Sequence, residues 1–231
     1  MTLKICASIT ANTSEKLKMM VEKAEKAGAN LIEIRFDYLK KDYDIRKIRD
    51  LTSLPMIATN RLKEEGGLFK GKEDSRLNLL LKAASNNFDF IDIEFMTKNI
   101  EDVIQKIREI DVKIIVSSHN FSCTPSLFEL NKIFKKEIFL PANVCKIVTM
   151  AKKVEDNLTC LRFVKNASKR MDTICFCIGK LGIPSRILSP LFGGFLIYAS
   201  VEEGREAAPG QITIAETFKF YKLIGYDSKN H

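Results

Sequence analysis

One lysine stands apart from the other basic residues of this 231-residue chain. Most lysines lie on charged helical stretches, in loops, or at the start of apolar runs, as Lys4 and Lys113 do. Lys146 lies inside such a run, between Val144-Cys145 and Ile147-Val148. An ordinary lysine amine, with a pKa of about 10.4, is almost wholly protonated at neutral pH and is no nucleophile. Apolar surroundings disfavour the ammonium form, and an amine freed in this way attacks a ketone to form a Schiff base. His119 ends the preceding apolar run and carries the side chain suited to moving protons at neutral pH. Together they point to imine chemistry, with the imine as electron sink and the imidazole moving a proton beside it. The plainer alternatives are a structural ion pair between Lys146 and Glu94, and a histidine that only packs.

The elements that must position these groups follow from periodicity. Eight short runs rich in β-branched and aliphatic residues occupy 4–9, 31–36, 55–60, 88–95, 113–118, 144–150, 173–178 and 194–200. They are nearly continuous in apolar character, as strands covered on both faces are. Helical spacing marks the stretches between them. One face is Leu17, Met20, Val21, Ala24 and Ala27, with caps among Asn12 to Ser14 and a stop at Gly28. Others are Leu77, Leu80, Leu81 and Ala84; Ile100, Val103, Ile104, Ile107 and Ile110; and Val154, Leu158, Leu161 and Val164. Thr124-Pro125 reads as a cap-then-proline start before Leu127, Leu130, Ile133 and Phe134, and Ile214, Phe218 and Tyr221 mark the last helix. This alternation predicts an α/β fold, a (β/α)8 TIM barrel, with residues 1–231 as one domain. A doubly wound open sheet is the alternative, but no G-x-G-x-x-G follows the first strand.

In such a barrel the carboxyl ends of the strands carry the chemistry. The polar residues expected there are Ser8, then Glu33, Arg35 and Asp37 on one face at i, i+2, i+4, then Arg61 followed by Glu64-Glu65-Gly66-Gly67. Asp92, Glu94, Ser117, Ser118, His119, Lys146, Lys180 and Arg186 continue the set, which ends in a charged loop running to Ala208-Pro209-Gly210-Gln211. A charge inside a buried strand is unfavourable unless it is paired. Each of these residues alone reads as a salt-bridge partner; their convergence on one face reads as a site. The segment VEEGREAAPGQ, Val201 to Gln211, has Gly204 and Gly210 as pivots and is expected to close over a ligand.

Composition excludes several classes. At 45% hydrophobic and 29% charged, the chain is neither disordered nor fibrous. Its net charge of +8 invites a nucleic-acid reading. However, the lysines are interspersed with acids, as in KLKMMVEKAEK, so a solvated mixed-charge surface and no nucleic-acid partner are expected. The longest apolar stretch, Ile187 to Val201, is broken by Ser189-Pro190 and Gly193-Gly194, so no membrane span is expected. The start of the chain reads directly into the first strand, which favours a cytoplasmic protein. Six cysteines form no C-x-x-C and are expected to be structural thiols, Cys175 and Cys177 sharing one face. His119 and His231 are the only histidines, so no metal site is expected.

The motifs E-I-R-x-D at 33–37, N-R-x-x-x-E-G-G at 60–67, S-S-H-N-F at 117–121, C-K-I-V-x-M at 145–150, G-K-L-G-x-x-S-R at 179–186 and A-P-G-Q at 208–211 occur in order along nearly the whole chain. Together the chain resembles type I 3-dehydroquinate dehydratase. The resemblance implies a cofactor-free, metal-free barrel, a homodimer, that converts 3-dehydroquinate to 3-dehydroshikimate by syn elimination of water in the shikimate pathway. It implies Lys146 as the Schiff-base lysine on the C3 ketone. His119 would take the C2 proton and return it to the departing C1 hydroxyl, with Glu65 positioning the histidine. Glu33, Arg35 and Arg61 match substrate-contacting positions, and Arg186 would grip the carboxylate with its planar fork. Gln211 would hydrogen-bond a ring hydroxyl, and Ser8 would make a minor contact. Three positions depart from the pattern: Ala207 where many relatives have serine, Pro190 in the helix after Arg186, and Tyr198 where many have phenylalanine. Another Schiff-base lyase, such as a class I aldolase, shares the barrel and a lysine on the sixth strand, and stands as the alternative.

Overall fold

Strands that are apolar on both faces need cover on both faces, and this chain supplies it by closing its sheet around one core and wrapping helices around the outside. The computed structural model describes residues 3–40 and 43–226, so His231 lies outside the described residues. The strands are β1 (Ile5–Ile9), β2 (Leu31–Arg35), β3 (Met56–Thr59), β4 (Phe90–Glu94), β5 (Lys113–Asn120), β6 (Val144–Met150), β7 (Asp172–Ile178) and β8 (Ile197–Ala199). The helices are α1 (Ser14–Lys26), α2 (Ile45–Arg49), α3 (Glu73–Ala84), α4 (Ile100–Arg108), α5 (Leu127–Glu137), α6 (Asp156–Ala167), α7 (Ile183–Leu188) and α8 (Ile214–Leu223). Each strand from β1 to β6 pairs in parallel with the next, and β8 lies on the free edge of β1. Just before β8, Phe195 N–H donates to the Thr173 carbonyl at 2.9 Å, bringing the two sheet edges together. A doubly wound sheet reverses its strand order at a switch point. Here the order runs on without reversal, so the barrel expectation holds and the open sheet is excluded.

Strand alternation divides the core in two. Cys6, Leu31, Ile57, Phe90, Ile115, Val144, Ile174 and Leu196 point inward and fill the barrel. The alternate residues, such as Ile5, Ala7, Ile9, Ile32 and Ile34, pack outward with Leu17, Met20, Val21 and Ala24 of α1. Thr13 caps α1 by accepting from Lys16 N–H, as its type favours. Cys145, Cys160, Cys175 and Cys177 are unpaired thiols in the outer core beneath α5 and α6.

The structure differs from the sequence expectation in several places. The helix expected from Thr124-Pro125 starts at Leu127, because Ser126 and Glu129 form a capping box. Thr124 instead donates to the Met150 carbonyl at 3.0 Å, tying the loop to β6. On α6 the buried face is Cys160, Leu161, Phe163, Val164 and Ala167, while Val154 and Leu158 are exposed. The last strand begins at Ile197, not 194, because Gly193 takes φ 99° and Gly194 presses on the Ser189 backbone. Pro190 falls after α7 in a 3₁₀ turn, Ser189–Phe192, so it ends the helix without kinking it.

Candidate active site

Strand alternation fixes which side chains point inward, and the barrel closure fixes which of them meet. Lys146 meets one inward side chain from each of the other even-numbered strands. Its Nζ donates to Asp92 Oδ2 of β4 at 2.8 Å and to the Tyr198 hydroxyl of β8 at 3.3 Å, and Glu33 Oε1 of β2 is 3.9 Å away. The alternative reading, an ion pair of Lys146 with Glu94, is therefore corrected: the partner is Asp92. Glu94 lies further along the strand and binds Arg61, at 3.2 Å, and Arg76. Nor is the lysine's setting apolar: its ammonium is held by a carboxylate.

Asp92 is the hub. Its Oδ1 accepts from Arg61 at 2.6 Å and from Ser117 Oγ at 2.7 Å. Burial alone would raise its carboxyl pKa, but the Arg61 and Lys146 cations outweigh this and hold it well below the ordinary range. Arg61 is itself disfavoured by burial yet more than compensated by Asp92 and Glu94, so its pKa is raised. Glu33 accepts from Ser8 at 2.7 Å and from Thr59 at 3.0 Å. Arg35 is clamped in a two-pronged pair by Asp37, at 2.8 and 2.7 Å. Contrary to the expectation from i, i+2, i+4 spacing, Asp37 does not continue the strand face; it stands in the 3₁₀ turn Phe36–Tyr38 that follows β2.

His119 is set by a turn that only glycines allow. Arg61 leads into the 3₁₀ turn Lys63–Glu65, and the chain then doubles back so closely that a Cβ on Gly67 would overlap the Arg61 carbonyl. This brings Glu65 Oε2 to 3.1 Å from the His119 backbone N–H and 2.9 Å from Nδ1. The Phe121 ring stacks on the imidazole at 6.0 Å between centroids. Burial first, then Arg61 and Lys146, hold the His119 pKa well below its ordinary value, so the ring is neutral. A neutral imidazole that gives its Nδ1 proton to Glu65 keeps a free lone pair on Nε2 and is a base. Burial pushes the Glu65 carboxyl up to about 7 despite Arg61.

Arg186, on α7, is 1% exposed and has no carboxylate partner among the described residues. Its guanidinium lies 4.3 Å from the centre of the Phe176 ring, Nη2 is 3.5 Å from the Pro209 carbonyl, and Nε has no partner among the described residues. Burial lowers its pKa to about 9. A cation in this state is an anion site waiting for its anion. Gln211 sits beside it, accepting from Ala207 N–H at 2.6 Å and donating to Ser8 Oγ at 3.3 Å. Gly210, expected as a pivot, has φ 74° and fits against Gly179 so tightly that a Cβ would overlap the Gly179 carbonyl. Close approach, as well as backbone freedom, requires glycine there.

The nine residues to which the resemblance gave a role line one cavity of about 90 Å³: Ser8, Glu33, Arg35, Arg61, Glu65, His119, Lys146, Arg186 and Gln211; Asp37, Asp92, Glu94, Ser117, Ser118 and Lys180, also expected on this face, are not among its lining residues. Two groups in direct contact with Lys146 had no assigned role in that reading, Asp92 and Tyr198. The D-I-E alternation of 92–94 marked both acids as inward, but only the level at which strands meet across the barrel distinguishes them. Among the described residues, no cluster of three or more His, Cys, Asp or Glu is placed to share a metal ion. No helix among them is long and apolar enough to cross a membrane.

Fold and site together define a (β/α)8 barrel with a lysine-centred cavity at the carboxyl ends of its strands. The family model of type I 3-dehydroquinase matches residues 5–228, and the chain belongs to that family. It is 38% identical over 225 residues to a 3-dehydroquinate dehydratase of Methanopyrus kandleri, covering 96% of this chain and 100% of that one. A 3-dehydroquinate dehydratase of Dehalococcoides mccartyi is 37% identical over 199 residues, covering 86% of this chain and 88% of its own. The crystal structure of 3-dehydroquinate dehydratase from Geobacillus kaustophilus superposes with a TM-score of 0.89 at 24% identity, covering 96% of this chain and 91% of that one.

Proposed function

We propose that this protein is a lyase that dehydrates 3-dehydroquinate to 3-dehydroshikimate through an imine on Lys146, as a step of the shikimate pathway. The observation that carries the reading is the pairing, in one cavity, of a buried lysine amine with a buried arginine that has no carboxylate partner among the described residues. A substrate with a ketone and a carboxylate on one small ring satisfies both. Arg186 takes the carboxylate. Lys146 gives up a proton, for which neutral His119 in the same cavity is the base at hand, and Nζ adds to the C3 carbonyl carbon. The carbonyl oxygen leaves as water, carrying one proton from Nζ and the one that His119 had taken, which leaves the iminium and a neutral His119. His119 Nε2 then removes the C2 proton, and the electron pair moves into the iminium as an enamine. The pair returns to expel the C1 hydroxyl, which takes the proton from His119 and leaves as water. Hydrolysis frees the product and restores the amine, so one water is lost overall. Glu65 holds His119 in the required tautomer, Gln211 and Ser8 meet ring hydroxyls, and Arg35, Arg61 and Glu33 complete the polar wall.

Two copies pair in this reading, for which the exposed rings of Phe128 and Phe139 supply apolar surface; light scattering tests it. The central experiment is borohydride trapping during turnover, with absorbance of the enone product as the activity signal. Substrate mass should appear on the peptide that carries Lys146. Lys146→Ala should lose both adduct and activity, and His119→Ala should lose about 10²–10⁴ in turnover while still forming the adduct. Adduct on another lysine, or activity without any adduct, overturns the mechanism.

A further inference from the structure

Tyr198 touches the nitrogen on which this chemistry turns, yet none of the steps above uses it. It stands on β8 in register with Cys6, is buried, and lines the cavity. Its hydroxyl is 3.3 Å from Lys146 Nζ, and the face of its ring lies 4.4 Å from the same atom. The lysine ammonium has only protons to give, so the phenol oxygen accepts in this contact. The phenol's own proton is then uncommitted: among the described residues the hydroxyl has no other hydrogen-bond partner. Burial, with Glu33, Cys6 and Asp92 close by, pushes its pKa well up, so the group stays a phenol.

We propose that Tyr198 is a further catalytic residue of this site, relaying a proton from Nζ to the ketone oxygen as Nζ adds to the carbonyl carbon. The inference rests on the reading that Lys146 forms the imine. When the amine adds, the N–C bond forms and the C=O π pair moves onto oxygen. The nitrogen must lose a proton and the oxygen must gain one. These two atoms flank a single carbon, so a hydroxyl within reach of the first is within reach of the second. The phenol oxygen takes the proton from nitrogen while its own proton passes to the substrate oxygen, leaving a neutral carbinolamine and a neutral phenol. No phenolate accumulates, as a hydroxyl surrounded by carboxylates requires. Run backwards, the relay serves release of the product from Lys146. The division of labour is then spatial: β8 handles the proton at the C3 oxygen, and β5 handles those at C2 and C1.

Tyr198→Phe tests this, because it keeps the ring and its contact with the ammonium and removes only the oxygen. Rapid quenching of 3-dehydroquinate turnover into borohydride, followed by protein mass measurement, gives the rate of imine formation. The C2 deuterium isotope effect on kcat reports which step limits. The expected result is imine formation slowed by at least about 10²-fold, an isotope effect reduced toward unity, and an unchanged melting temperature. Imine formation at the wild-type rate in Tyr198→Phe overturns the inference and leaves the dehydratase reading standing. A wild-type protein that traps no adduct and makes no enone overturns both.

Discussion

Two halves of the cavity handle buried positive charge in opposite ways. Around Asp92, two cations are matched by carboxylates: Arg61 by Asp92 and Glu94, Lys146 by Asp92 with Glu33 near by. Around Arg186 there is only a ring face and one carbonyl, and its pKa falls to about 9 where that of Arg61 rises. Both guanidiniums are buried, so burial is not the difference; the neighbours are. On the proposed mechanism, the matched half accepts a neutral ketone and forms the imine without a change in net charge. The unmatched half has its charge balance completed by a ligand. The cavity is thus built for a molecule with a neutral reactive end and an anionic end.

Breaking the matched half should have the largest effect. Asp92→Asn keeps the shape but leaves Arg61 and Lys146 short of a charge. Removing one partner from a buried pair costs about 3–5 kcal/mol, and denaturant unfolding should show a loss of that size. If the loss is under about 1 kcal/mol, the region is solvated and not matched. Arg186→Met should move stability the other way. A base whose folded pKa is depressed destabilises the native state at every pH below that pKa, so replacing it should raise the melting temperature at neutral pH. The same variant should raise KM by about 10–100-fold, the value of roughly 1.5–3 kcal/mol for a charge-assisted contact. Inorganic phosphate or a simple carboxylate should stabilise the wild type and not the variant.

This contrast was only partly legible in the sequence. The repeat of apolar runs carried the barrel, because a closed parallel sheet forces near-continuous apolar strands whose spacing survives any detail of packing. Lys146, Glu33 and Arg35 were legible because charge inside such strands is rare, whereas the roles of Ser8, Glu65, Arg186 and Gln211 were legible only through the resemblance to a family. What was not legible is who pairs with whom. Asp92 and Glu94 are equivalent by alternation, and only the stagger of strands around the barrel puts Asp92 level with Lys146. The failed cap at Thr124-Pro125 has a related cause. Ser126 offers a better local cap with Glu129, and Thr124 is drawn to the Met150 carbonyl, a partner far away in sequence. That no carboxylate among the described residues meets Arg186 is likewise a property of the assembled site, invisible in one dimension.

A smaller effect comes from the outside of the barrel, where Glu137 repeats the unmatched pattern with opposite charge. It is the last residue of α5, is fully buried, accepts from Ser118 Oγ at 2.6 Å, and has Cys145 Sγ as a second partner at 2.8 Å. Burial pushes its carboxyl up to about 7, against those two hydrogen bonds. An acid whose folded pKa is raised stabilises the native state at acidic pH, and this contribution is lost as pH rises through about 7. Glu137→Gln should therefore gain on the wild type between pH 5 and pH 8, by about 2–3 kcal/mol at most. Glu65, with the same direction of shift, keeps part of the pH dependence in the variant. A stability difference that stays constant across that range would mean that Glu137 is ionised throughout.

The smallest effect asks whether the two halves of the cavity are separate at all. The loop that carries Gln211 reaches both. The Gln211 amide donates to Ser8, which donates to Glu33 in the matched half, while Pro209 of the same loop offers its carbonyl to Arg186. If the loop joins the halves, Gln211→Ala should raise KM by about fivefold to tenfold, near 1–1.5 kcal/mol for one hydrogen bond, with kcat little changed. In the double variant with Arg186→Met the two losses should then not add, since the loop that Gln211 anchors is the loop that touches Arg186. Residues sharing a network couple by more than about 0.5 kcal/mol, whereas independent sites add to within that margin. Additive effects on KM would show the carboxylate end and the ketone end to be recognised independently, and the loop to be a cover without a role in joining them.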